Sequence, residues 1–215
     1  MSLPLPCRRL GLPILLLAAL GIAGPRAGAE TTSPVVAAGF ITDMGDRAVA
    51  TLAMQGDRRQ RHDAFARLLI DAIDFDALAL ATLGRMARTV APRDKREFTQ
   101  LFAAHVIDVA IERFGDVQIL RFTVAPGAPL PNGDVRVHTR IERAGGEPLE
   151  VDWRVRSIAG RPKINDIEVA GYSLMIHYRG EFERANVSTV PGLIAKLRGL
   201  TAASDALETV RRDLR

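Results

Sequence analysis

The chain reads as an α+β domain in which a curved antiparallel sheet of about four strands packs against N- and C-terminal helices. Three observations point there. The apolar period is 3.6 over the first half, falls to 2 across the middle, and returns to 3.6 from Ser173. The strand-like segments are joined by short Gly-containing turns, which implies an antiparallel meander with one apolar and one wet face. Helices, then strands, then helices is the order that lays helices over one sheet face.

Residues 35–54 carry apolar side chains at helical spacing, as do 58–73, where Phe65, Leu69 and Ile73 align. Asp76 occupies an N-cap position before the stretch ALALATLGRMA. Pro92 opens a helix at its first turn, where a missing N–H is harmless. Phe98, Leu101, Phe102, His105, Val106 and Val109 form its stripe, which runs to about Arg113, with Gly115 ending it. Residues 117–124 read as a strand followed by a Pro/Gly-rich loop.

Over 134–142 the alternation is clean: Val135, Val137, Thr139 and Ile141 face one way, Arg136, His138 and Arg140 the other. After Gly145-Gly146, Val151, Trp153 and Val155 point inward, and Ile167 and Val169 share a face in the next segment. Helical spacing resumes from Ser173 through Phe182, then over 192–198 and 202–214.

Residues 1–29 have the three parts of a secretory signal peptide: Arg8-Arg9, an apolar run from Leu10 to Ile22, and the small-x-small site Ala27-Gly28-Ala29. The expected division is a leader over 1–29 and a single domain over 30–215. The apolar run is shorter than the roughly 20 residues a spanning helix needs. The formal charge of +4 includes three leader arginines, and without them 26 basic face 25 acidic residues. No basic block remains to bind nucleic acid. The single cysteine, Cys7, lies in the leader, so the remainder offers no disulfide, thiolate ligand or thiol nucleophile.

No catalytic signature stands out. His62, His105, His138 and His177 are scattered without metal-ligand spacing, so no metal site is expected. Ser173 follows Gly171-Tyr172 as a nucleophile elbow would, but the closing glycine is missing and a helix cap is the better reading. The basic residues Arg136, His138, Arg140, Arg154 and Arg156 read as a solvated strand face, or as a rim for docking a partner or a phosphate group.

Two blocks resemble the MlaC/toluene-tolerance family of periplasmic phospholipid-binding proteins. The first comprises Phe75-Asp76, Leu83-Gly84-Arg85, and Pro92 through Phe98 and Phe102. The second runs Val151-Asp152-Trp153-Arg154-Val155, Lys163-Ile164-Asn165-Asp166-Ile167-Glu168-Val169, Gly171-Tyr172-Ser173-Leu174, Tyr178-Arg179, Glu181-Phe182 and Gly192 to Leu197. Together they cover about 35–198. The chain departs from the family pattern at Arg161-Pro162, Trp153, Ala170, Met86 and Ala91, the last standing where a capping Thr is frequent.

The resemblance implies an apolar cavity between sheet and helices that takes phospholipid acyl chains, with the headgroup near the mouth. It implies a monomeric periplasmic carrier rather than an enzyme, with no catalytic residue and no cofactor. Its partners would be an outer-membrane lipoprotein complex and an inner-membrane ABC transporter complex. Phe98, Phe102, Val106, Val137, Ile141, Val151, Trp153, Val155, Val169, Leu174 and Tyr178 are expected in the pocket or its wall. A hopanoid-associated carrier of the same fold is the second reading, and a small-molecule enzyme using the cavity is the third.

Overall fold

The computed structural model describes residues 32–185, 187 and 189–214; the expected leader and Cys7 lie outside them. Among the described residues, every α-helix but one begins where Ser, Thr or Asp precedes it. Ser33 accepts the Val36 N–H at 3.2 Å, and Pro34 opens α1 (Pro34–Leu52). Asp57 caps α2 (Arg58–Ala72). Asp74 caps α3 (Phe75–Leu83), accepting the Ala77 N–H at 3.0 Å.

Asp76, expected as that cap, lies within the first turn and accepts from the Thr99 hydroxyl at 3.3 Å. The helix begins earlier because Phe75 belongs to the core, only 1% exposed. The run from Ala77 to Ala87 is also not one helix. Gly84, at φ +54°, adopts a backbone that side-chain-bearing residues avoid, and the chain continues as a 3-10 helix over Gly84–Arg88.

Helix α4 (Pro92–Phe114) is the central support of the fold. It starts at Ala91 without a side-chain cap and ends at Gly115. A β-carbon at Gly115 would lie 2.6 Å from the Ile111 carbonyl oxygen and 2.8 Å from His62 Nε2. Space, rather than backbone angle, requires glycine there.

The four expected strands are β1 (Ile119–Val124), β3 (Val135–Arg143), β4 (Leu149–Ile158) and β5 (Arg161–Val169). Two short pieces join them, β2 (Ala128–Pro129) and β6 (Tyr172–Ser173), each too brief to carry a period-2 signal. The antiparallel sheet runs β1-β3-β4-β5-β6, with β2 paired to the start of β3. A two-residue turn, Ala159-Gly160, joins β4 to β5 with both φ angles positive, which matches the strand twist. Opposite Arg154 and Val155 the register slips by one residue. This bulge lets Ile164 and Ile167, three apart, both face inward against Val155 and Trp153.

Helices α5 (Leu174–Arg184), α6 (Val190–Leu200) and α7 (Asp205–Asp213) complete the fold, with α4 packed against both α6 and α7. Among the described residues, no helix is long and apolar enough to cross a membrane.

Candidate functional site

Helix α5 is held by residues on both sides of its start. The Asp166 carboxylate, 4% exposed, accepts the Ser173 hydroxyl at 2.7 Å, the Met175 N–H at 3.2 Å and the Ile167 N–H at 2.9 Å. Ser173 Oγ in turn accepts the Ile176 N–H at 3.2 Å, so its hydroxyl is committed to capping. Arg179 donates from α5 to the Ala81 carbonyl in the last turn of α3, where a cation also suits the helix dipole. These bonds fix which way the neighbouring Leu174, His177 and Tyr178 point.

They point into a cavity of about 490 Å³, within the range of small-molecule sites. Its walls come from successive turns of helices and alternate strand positions. Helix α1 supplies Met44, Gly45, Ala48, Val49 and Leu52; α4 supplies Val106, Val109, Ala110, Arg113 and Phe114. The sheet supplies Ile119 and Phe122 from β1, Ile141 and Arg143 from β3, Leu149, Val151 and Trp153 from β4, and Ile167 and Val169 from β5. Arg113, Tyr172 and His177 are exposed, and they mark the mouth.

The polar ends of Trp153 and Tyr178 in this lining are satisfied or inert. Trp153 Nε1–H donates to Thr139 Oγ1 at 2.8 Å, and the Thr139 hydroxyl donates to the Val151 carbonyl at 3.2 Å. With its N–H engaged, the indole presents apolar surface to the cavity. Burial pushes the Tyr178 phenol up to about 12, against the pull of nearby Arg113, so it stays protonated in the neutral range. The Tyr178 ring meets Phe102 edge-on, with centroids 5.1 Å apart. Among the described residues, no Asp or Glu lines the cavity.

Seven of the eleven residues expected in the pocket or its wall line this cavity: Val106, Ile141, Val151, Trp153, Val169, Leu174 and Tyr178. Phe98, Phe102, Val137 and Val155 do not, and each is fully buried in packed core. Phe98 and Phe102 lie behind Tyr178, against Phe182 and one another. Val137 and Val155 belong to the end of the sheet that α1 closes, where Pro34 and Val135 crowd Gly127. Inward-facing alternation marks both groups alike, because it registers a side chain's direction and not what it meets. The lining from α1, and the arginines at 113 and 143, escaped the sequence reading. Their signal was present: positions 106, 109, 110 and 113 share one helical stripe, and 141 and 143 one strand face.

His105 and His177 both flank the Tyr178 ring, His177 edge-on at 5.3 Å. His105 packs edge-on to Tyr178 at 5.5 Å; burial lowers its pKa, partly offset by Asp108. His138 bridges Asp152 at 3.0 Å and Glu150 at 2.9 Å on the wet face. There Arg140 pairs with Glu150 and Arg156 with Asp134, so much of the basic character of that face is internally neutralised. Among the described residues, no group of three or more His, Cys, Asp or Glu is placed to hold a metal ion.

This architecture has relatives. It is similar to the solved phospholipid-binding protein from Ralstonia solanacearum in complex with a phospholipid, with a TM-score of 0.66 and 22% identity. That likeness covers 78% of this chain and 97% of the other, and at this identity it concerns the fold. No curated protein matches the chain. A family model, described as MlaC protein, matches residues 43–199. That span takes in α1's cavity-facing stripe, the whole sheet and α5, and on it the chain belongs to the MlaC family.

Proposed function

We propose that this protein is a periplasmic carrier that shelters phospholipid acyl chains in its cavity and moves lipid between membrane complexes. The observation carrying the reading is the cavity itself, apolar on almost every wall and with no acidic side chain among the described residues that line it, in a chain of the MlaC family. The phospholipid bound by the Ralstonia solanacearum protein supports the same ligand class. Val106, Ile141, Val151, Trp153, Val169, Leu174 and Tyr178 are the contacts proposed for the chains.

Physical chemistry supplies the need for such a protein. Each methylene exposed to water costs about 0.8 kcal/mol, so a two-chain lipid cannot cross an aqueous space unaided. Moving the chains from bilayer to apolar cavity removes most of that cost at both ends of the journey. Transfer is then close to isoenergetic, and direction comes from partners: an outer-membrane lipoprotein complex and an inner-membrane ABC transporter complex. A leader over 1–29 would deliver the protein to the periplasm. The protonated Tyr178 and a lining that holds no carboxylate among the described residues support a carrier without catalytic residues.

Lipid extraction and mass spectrometry of protein purified from its native compartment test the reading. Co-purified phospholipid in a fixed ratio is expected. Protein recovered without lipid that also fails to accept fluorescent phospholipid would overturn it.

A further inference from the structure

Two inward-facing stripes end in the same way. On α4, Val106, Val109 and Ala110 face the cavity, and the next position one turn on is Arg113. On β3, Ile141 faces the cavity, and the next residue on that strand face is Arg143. Among the described residues, these are the two formal charges on the cavity lining, and both are positive. Among the described residues, neither guanidinium lies within ion-pair distance of a carboxylate, unlike Arg140 and Arg156 on the opposite sheet face. Arg143 also carries a buried Nε with no hydrogen-bond partner. A buried donor left unpaired is uncommon in a native fold and calls for an acceptor.

We propose that Arg113 and Arg143 form an anion clasp for the phosphodiester of the carried lipid, holding the headgroup while the chains lie in the cavity. The inference rests on the carrier reading above. A guanidinium presents a planar fork of donors that matches the non-bridging oxygens of a phosphodiester. Two cations against one phosphate leave residual positive potential, so heads of net negative charge are favoured. Long arginine stems also cover apolar surface while the charge reaches water, and that role alone would give no preference for phosphate.

Purified, lipid-stripped protein is titrated with dioleoylphosphatidylglycerol and with dioleoylglycerol, which has the same chains and no phosphate. The clasp predicts that R113Q and R143Q each weaken phosphatidylglycerol binding about tenfold while dioleoylglycerol binding changes less than about twofold. R143K should recover part of the loss, and melting temperatures check that the variants fold. In the unaltered protein, raising salt from about 50 to about 500 mM should weaken phosphatidylglycerol binding and leave dioleoylglycerol binding unchanged. Equal losses of both lipids, or phosphatidylglycerol binding indifferent to salt and to both substitutions, would overturn the clasp while leaving the cavity reading intact. So would arginine-dependent binding of oleate with phosphatidylglycerol unaffected, since the pair would then serve a carboxylate. Failure of the unaltered protein to take up either lipid would overturn the carrier reading and the clasp with it.

Discussion

A β-carbon on Gly45 would stand 2.2 Å from Cε1 of the Phe122 ring. Helix α1 carries no side chain where β1 leans its ring against it, and both residues line the cavity. The width of the cavity at this wall is therefore set by how far the ring recedes into the space glycine leaves. Gly45→Ala should push the ring toward the cavity and reduce bound phospholipid, measured as lipid per protein by mass spectrometry. Overpacking costs about 1–3 kcal/mol, more than the ~0.5–1 kcal/mol that Ala gains over Gly in a helix, so the melting temperature should fall. Phe122→Leu in the same chain should restore both. Undiminished lipid in the single variant would show that the ring escapes another way.

Core and lining should separate under substitution by aspartate. Val137 and Val155 are 0% exposed and lie away from the cavity, so an Asp at either would be an unpaired charge in packed interior. Both variants should unfold or fail to accumulate. Val169 is partly exposed and lines the cavity. Val169→Asp should keep the circular dichroism spectrum of the fold and lose bound lipid, because water can reach the new carboxylate. Unfolding of all three would erase the distinction drawn between wall and core.

Helix α4 begins at Ala91, whose side chain caps nothing although its backbone has the extended geometry of an N-cap. Ala91→Ser should supply an acceptor for the free N–H groups of the first turn and stabilise the protein by about 1 kcal/mol. For a domain of this size that is a rise of roughly 2–4 °C in melting temperature. An unchanged or lowered value would mean that the first turn already finds its acceptors in water.

Acid should attack the junction of β3, β4 and β5 at Asp134, which is 1% exposed. Burial pushes its carboxyl up, but hydrogen bonds from Arg156 (2.7 and 3.1 Å), Asn165 (3.2 Å) and Asn132 (2.7 Å) outweigh burial and hold it below the usual range. A carboxyl that releases its proton more readily folded than unfolded adds stability above the unfolded value near pH 4, and that stability is lost as pH falls through the folded value. Asp134→Asn should cost about 1–3 kcal/mol at pH 7. It should also flatten the decline in urea midpoint between about pH 5 and pH 2. A decline as steep as in the unaltered protein would place the acid sensitivity elsewhere.

Residue order alone determined the class of fold, because the change from helical to alternating spacing near Gly115 and back at Ser173 is a local property of the chain. It also determined which side of β3 and β4 turns inward, since Val137 and Val151 obey the same alternation, whereas the β5 bulge adds Ile164 to the inward set out of step with Ile167. Tertiary structure decided what those side chains meet. Val137 is fully buried in packed core, whereas Val151 lines the cavity along with Met44, Ala48 and Leu52 of α1. It likewise decided that Arg113 and Arg143, 30 positions apart in the chain, line one cavity. A void is a relation among elements distant in sequence, so no window of residues encodes it. The spacing names the face, and only the packing shows whether that face is filled.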